Sequence, residues 1–358
     1  MRRSTVATED RRGSPLGTGA VGPGPQIVHV GAASRDVTKD DPRGWRLGGG
    51  VTYGALTTAA LGIRTAAIIG VDATAATCRE VAALRAAGVE LVLVPLAAGP
   101  IFRNEERPEG RRQFCLDPGR ALEVPALPAS WWGVPVWDLA PVANEVGDAW
   151  LQVLPATAFV ALGWQGLLRS LVANAVVARR APARSGLLDR ANLASLSHHD
   201  VEPGTVLGTL TALLQPGTRL LVTEGRDGGL LATVPRPPSA GHSAAHLDPA
   251  MRYAAIAPDR DVDPTGAGDS FLAALLATMI RPSLVATSGP RAVVGARSAG
   301  AARDGAPWPT RADLHFASAV ASLGVEGPGV AAIPALAAVR RRLRRAEITQ
   351  SGSSSSSA

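Results

Sequence analysis

Short apolar runs and helical segments take turns along this chain, and that alternation restricts its architecture more than any other property of the sequence. Gln26-Ile27-Val28-His29-Val30 reads as a buried strand that stops at Gly31. Gly48-Gly49-Gly50 then opens a small-residue helix over Val51 to Leu61, followed by a strand from Ala66 to Ile69, a helix from Ala75 to Ala87 and a strand from Leu91 to Pro95. Further strands are expected at Phe159 to Leu162, Arg219 to Thr223 and Gly229 to Val234. Apolar runs this short suit strands, and helices of about ten residues or more can carry the chain back to the same edge of a sheet. The expected fold class is therefore α/β, with a mainly parallel central sheet and helices on both faces. Two polar, arginine-containing stretches, about 34–47 and about 96–116, fit that sheet poorly and are expected to form a small β lid over one end of it.

With 46% apolar and 18% charged residues, the chain has enough hydrophobic material for a sizeable core and too little charge for a disordered polymer. We expect one domain over residues 25–345, flanked by disordered tails at 1–24 and 346–358, where periodicity is absent. Residues 281–311, rich in Ala, Gly, Arg, Ser and Pro, are expected to be a flexible insertion. The first residues lack an apolar leader, and no run of about 18 uncharged apolar residues occurs, so the expected location is the cytoplasm and no membrane partner is expected. Cys78 and Cys115 are too few for a disulfide framework and are expected to be reduced.

The net charge of +6 resembles a nucleic-acid signal until its position is considered. Residues 1–24 and 340–358 together hold nine arginines against three acids, which leaves 27 basic and 27 acidic residues between them. A neutral body is not a phosphate-tracking face, so no nucleic-acid partner is expected. The run Arg340-Arg341-Arg342-Leu343-Arg344-Arg345 suits a helix C-terminus, with an anionic partner as the alternative reading. Lys39 is the single lysine. A Walker A loop, a protein-kinase strand lysine and a pyridoxal Schiff base are thereby excluded. Phosphate chemistry here has to rest on backbone amides, arginine and metal. Gly17-Thr18-Gly19-Ala20-Val21-Gly22 matches a dinucleotide fingerprint in form only, because prolines rather than a strand and a helix flank it.

The chemistry concentrates in Asp261-Val262-Asp263-Pro264-Thr265-Gly266-Ala267-Gly268-Asp269, which leads directly into the apolar helix Ser270 to Ile280 and follows the strand-like Tyr253 to Ala257. Free N–H groups and the positive end of a helix dipole meet at such a junction, and a Gly-Ala-Gly turn lets an anion approach the main chain. Gly266, Ala267 and Gly268 are therefore the candidate anion hole. Asp269 beside them is placed either to cap the helix or to take the proton of an attacking hydroxyl while the amides hold phosphoryl charge.

Asp263 to Asp269 resembles the D-x-T-G-A-G-D signature of the ribokinase, or PfkB, family of ATP-dependent sugar kinases. The N-terminal signature of that family is matched by Gly48-Gly49, the helix to Leu61-Gly62, and Gly70-Val71-Asp72, and the resemblance covers about residues 26–340. It implies a ribokinase-like three-layer α/β/α sandwich and phosphorylation of a hydroxyl on a sugar or polyol, with ATP and Mg²⁺, possible K⁺ dependence and a possible homodimer. It makes Asp269 the general base, and gives Asp36, Gly48 and Gly49 to the acceptor. Thr223 and Gly225, the family's Thr-x-Gly strand end, fall beside the nucleotide. Asp263 and Thr265 match positions that hold a monovalent cation in some relatives.

The chain also departs from that pattern. Tyr53 stands where ribokinase has an asparagine, so the resemblance does not specify ribose. The family's N-x-x-E element is replaced by Ser197-His198-His199-Asp200, where Asp200 either takes the Mg²⁺ role or starts a helix over Val201 to Leu214. Ser197 is assigned beside the nucleotide, and Asn104 and Arg112 of the lid are assigned to the acceptor. Open alternatives are a nucleoside or other alcohol kinase on the same fold, and a non-catalytic sugar or nucleotide sensor. His242 and His246 have metal-compatible spacing but sit among prolines without a companion Glu, and Trp131, Trp132 and Trp137 are expected to be packing residues.

Overall fold

Every residue of the first strand, β1 (Ile27–Ala32), is buried, as expected for a strand covered on both faces. The computed structural model describes residues 24–105, 112–236, 250–285 and 308–354, with side chains as far as Ala346. Most of the expected N-terminal tail, residues 106–111 of the lid, His242 and His246, residues 286–307 of the expected insertion and 355–358 lie outside the described residues.

After β1 come β2 (Arg35–Val37), β3 (Trp45–Leu47), α1 (Gly50–Ala60), β4 (Thr65–Val71), α2 (Arg79–Ala86), β5 (Glu90–Pro95), β6 (Ile101–Glu105) and β7 (Arg112–Asp117). The middle of the chain holds β8 (Val136–Leu139), β9 (Phe159–Gly163), the two-residue strands β10 (Arg169–Ser170), β11 (Ala175–Val176) and β12 (Ala178–Arg179), α3 (Gly186–Arg190) and β13 (Leu193–Ser197). It closes with α4 (Leu207–Thr211), β14 (Arg219–Thr223), β15 (Gly229–Thr233), β16 (Met251–Tyr253), α5 (Ala267–Ile280), α6 (Arg311–Gly324) and α7 (Leu336–Ser354).

Nine strands form one sheet in the order β16-β15-β14-β13-β9-β8-β1-β4-β5. From β14 to β5 all neighbours are parallel, and β15 and β16 add an antiparallel edge. The expected α/β class is thus observed. One face of the sheet packs against α1, α5, α6 and α7 through Ile27, Phe159, Leu193, Leu221, Leu275 and Phe316. The other is filled by Trp131, Trp137, Trp150 and Trp164, all at 1% exposure or less, with short 3₁₀ turns and the two short helices α3 and α4. Trp132 does not join this packing and is exposed. A second sheet, ordered β11-β7-β6-β2-β3, is the lid.

Three local expectations are corrected. The helix expected over Val201 to Leu214 contracts to α4, because Pro203 disfavours helix before it and Gly204 adopts φ 85°. The helix expected from Ala75 breaks at Cys78, whose ψ of 162° is extended, leaving a 3₁₀ turn ahead of α2. The Arg-rich helix α7 runs on to Ser354, into the segment expected to be a disordered tail.

Candidate active site

In parallel sheets the strand C-termini face one edge, and ligands bind in the crevice outside it. A cleft of about 450 Å³ lies at that edge here. Ser34 follows β1, Gly163 ends β9, Ser195 and Ser197 end β13, and Thr223 ends β14; all line the cleft. The lid contributes Asp36, Phe102, Asn104 and Gln113, α1 contributes Gly49, Gly50 and Tyr53, and Pro264 to Asp269 close the wall.

Two helix N-termini converge on this space. Helix α1 is capped by Gly49 at φ 95° and α5 by Gly266 at φ 76°, conformations that L side chains rarely adopt. Close approach demands glycine as well: a Cβ on Gly50 would lie 2.7 Å from Asp269 Oδ1, and one on Gly266 would enter the Tyr53 ring. The Asp269 carboxyl therefore faces the opening turn of α1. Burial pushes its pKa up to about 6; the charges of Asp138, Asp200 and Asp36 add to the rise and Arg169 opposes it. Of the three expected anion-hole amides, Ala267 N–H donates to Pro264 O at 3.2 Å. Those of Gly266 and Gly268 have no acceptor among the described residues and remain available for an anion.

Beneath α1, His29 Nδ1 meets Asp138 Oδ2 at 2.7 Å and His29 Nε2 meets Thr58 Oγ1 at 3.0 Å, all fully buried. Gly54 leaves the room for this pair, since a Cβ there would lie 2.8 Å from His29 Nδ1. The Asp138 charge that influences Asp269 is fixed in place by these contacts.

Asp36 accepts a hydrogen bond from Ser34 Oγ at 2.9 Å, and Gly48 passes so close that a Cβ would overlap the Asp36 carboxylate. Gly48 thus shapes the site from behind Asp36 without lining the cleft. Asn104 lines it and accepts from Gln113 Nε2 at 2.9 Å. Arg112 does not: it is exposed, with its guanidinium 5.2 Å from the Phe114 ring. Side chains alternate across a strand, so β7 presents Gln113 to the cleft and turns Arg112 away. Tyr53 is 4% exposed, and its ring packs against Gly266, filling the wall between α1 and α5.

A second cavity of about 840 Å³ adjoins the cleft and shares His199, Thr223, Gly225, Pro264, Ala267 and Gly268 with it. Its walls include Ala255, Ile256, Phe271, Ala321 and Val325, an apolar slot of a size for a purine nucleoside. Ser197 and Asp200 form a capping box in which Ser197 N–H donates to Asp200 Oδ2 at 2.8 Å, and Gln165 Nε2 donates to Asp200 Oδ1 at 3.2 Å. Asp200 therefore closes the short 3₁₀ turn His198–Asp200 that Ser197 caps, and does not start a long helix. Among the described residues no group of three His, Cys, Asp or Glu gathers into a metal cage. Asp200, which lines the cleft with Asp36 and Asp269, suits Mg²⁺ arriving with phosphates, since that ion keeps waters and needs only one or two protein carboxylates. Thr265 lines the cleft, but the Asp263 carboxylate takes donors from Thr265 N (3.0 Å), Gly329 N (3.1 Å) and Arg46 Nη1 (3.4 Å). Asp263 thus clasps the loop ahead of α5, its carboxylate accepting from all three donors.

Several cleft residues escaped the sequence reading. Gln165 and Arg169 descend from β9, and the half-buried Arg169 donates to Val142 O at 3.1 Å beneath the Phe102 ring. Val142 is itself held by Glu145, a buried carboxylate that also accepts from Ala32 N at 2.8 Å and Ala143 N at 2.7 Å. The available signal was positional, a Gln and an Arg just past the C-terminal end of an apolar strand.

No protein-family model matches the chain, and no curated protein matches it in sequence. Solved structures do. Ribokinase of Arabidopsis thaliana, complexed with ribose and ATP, superposes with TM-score 0.58 at 18% identity, covering 89% of this chain and 99% of its own. A pyrophosphate-dependent kinase of the ribokinase family, complexed with a pyrophosphate analog and myo-inositol, gives 0.57 at 18% identity over 86% and 99%. The nucleoside kinase of Methanocaldococcus jannaschii, an archaeal ribokinase-family member, gives 0.56 at 16% over 90% and 99%. At these identities the likeness is one of fold. Nine mainly parallel strands, a β lid and near-complete coverage of each neighbour make the architecture of this chain ribokinase-like.

Proposed function

We propose that the protein transfers the γ-phosphoryl group of ATP to a hydroxyl of a sugar or polyol. The observation that carries this reading is Asp269, a carboxyl with a raised pKa at the junction of the lid-covered cleft and the apolar cavity, beside the unpaired amides of Gly266 and Gly268. The acceptor lies under the lid with its hydroxyls on Asp36 and Asn104. The nucleoside lies between Ile256 and Phe271, with its phosphates directed past Thr223 and Gly225. Asp269 takes the proton of the attacking hydroxyl while the acceptor oxygen bonds to phosphorus and the bond to ADP breaks. The Gly266 and Gly268 amides receive the charge of the transferred group. Asp200 would hold Mg²⁺, which supplies charge neutralisation on the phosphates when bound.

The named neighbours support the reading at this level, because between them they are described with ribose, ATP and myo-inositol and as a nucleoside kinase. The large apolar cavity favours a nucleotide donor over pyrophosphate, which would leave it unfilled. The test is ADP release from Mg·ATP across a panel of pentoses, hexoses, inositols and nucleosides. Turnover with one class identifies the acceptor. Tight binding of a panel member with no ADP release under Mg²⁺ and K⁺ would instead establish a sensor.

A further inference from the structure

We propose that Arg169 is a catalytic residue: its guanidinium holds the phosphoryl group while it passes from donor to acceptor. This rests on the reading above and extends it to a residue outside the signature loop. Arg169 begins β10 directly after the 3₁₀ turn Trp164–Leu168 that follows β9. That turn returns the chain across the strand C-termini and brings the side chain into the cleft.

Arginine carries five N–H donors and stays charged at any working pH. Within the described residues Arg169 spends one of them, on Val142 O, stands 5.6 Å from the Phe102 ring, and makes no ion pair. Its charge is nonetheless felt by Asp200 on the donor side, Asp269 in the middle and Asp36 on the acceptor side. Arg169 lines the same cleft as all three carboxylates yet is bonded to none of them, which places it to meet the group that passes between donor and acceptor. Arg169 is half-buried, which depresses its pKa, and an anion beside a partly desolvated guanidinium gains more than it would in solution.

The identity of the anion follows from its surroundings. An acidic acceptor would set its own carboxylate against Asp36 and Asp269. A phosphoryl group between donor and acceptor oxygens meets Arg169 and the α5 amides together, and planar bidentate recognition of phosphate suits arginine. The single lysine, Lys39, is exposed and outside the cleft, which leaves Arg169 as the permanent cation among the described cleft residues. No covalent bond forms or breaks at Arg169. The acceptor hydroxyl proton goes to Asp269, the new oxygen–phosphorus bond forms as ADP departs, and Arg169 donates hydrogen bonds to the equatorial oxygens throughout.

Two readouts test this. Calorimetric titration with inorganic pyrophosphate needs no turnover: Arg169→Met, which keeps the stem under Phe102, should weaken binding at least about tenfold, and Arg169→Lys should fall between. In ADP-release assays Arg169→Met should lower kcat about 10³-fold, as cis-acting arginines do elsewhere, with acceptor KM changed less than about threefold and partial rescue by guanidinium ion. Should Arg169→Met fail to fold, Arg169→Lys reads the same two quantities. Equal pyrophosphate affinity in wild type and variant, or none in either, overturns the proposal, as does a kcat within about threefold of wild type. Arg169-dependent pyrophosphate binding in a wild-type protein that phosphorylates no alcohol would instead remove the kinase reading and leave the anion contact standing.

Discussion

Replacing Asp269 with Asn removes a proton acceptor while keeping the shape of the group that faces Gly50. Its carboxyl titrates at about 6 rather than the ordinary 3.8. At pH 7 about 90% of it is ionised and at pH 5 about 10%, so kcat should fall roughly ninefold between those values with a slope of one. Asn cannot accept the proton, so the variant should be slower by about 10² to 10⁴-fold and flat over the same range. Stability should move the other way. A carboxyl whose folded pKa lies above its unfolded one holds its proton more tightly in the native state, so stability is lost as pH rises from about 4 through 6. At about 1.36 kcal/mol per pH unit the ionised group costs at most about 3 kcal/mol, less the screening by cleft water. Asp269→Asn should therefore melt above wild type at pH 7, and the gap should close near pH 4. The assay is kcat at saturating acceptor from pH 5 to 8, paired with thermal denaturation at both ends. A variant with wild-type turnover, or a wild-type profile flat through pH 6, would refute the assignment of Asp269 as base.

Three further perturbations have expected outcomes. Asp138→Asn removes the largest charge that raises Asp269, so the acid limb of kcat should shift to lower pH by up to about one unit, read from the same profiles. Gly266→Ala meets both a φ of 76° and the Tyr53 ring, so it should cost about 1–3 kcal/mol in denaturant unfolding; a second change, Tyr53→Leu, should restore only the part due to overlap. Glu145→Gln offers one oxygen to the three backbone donors of Ala32, Val142 and Ala143 and sets an NH₂ against the rest, so unfolding should come about 1–3 kcal/mol earlier. An unchanged denaturation midpoint would show that Glu145 does not carry the loop beneath Arg169.

The strands read best were those with an uninterrupted apolar centre, such as β14, whose Leu220-Leu221-Val222 run lets the sequence place it at its observed bounds. β8 and β13 were harder to read: β8 carries the buried Asp138, and β13 interrupts its apolar residues with Ser195 and Ser197, so neither stands out as an apolar run. Asp138 can be buried because His29, its register partner on the neighbouring strand β1, bonds to it. The lid segments were legible as misfits to the sheet, although β11, two residues long, was not.

Local chemistry determined the α5 loop on its own. Glycine at a position of positive φ, an aspartate in the first helical turn and an apolar helix behind it are properties of adjacent residues, so Asp269 and its amides could be named from the chain alone. Contacts between distant segments are a different matter. That Arg112 faces away and Gln113 inward, that Asp263 is claimed by Arg46 and Gly329, and that Arg169 reaches the cleft all depend on pairings between segments far apart in sequence. Those distances are set by packing, and only the tertiary structure decided them.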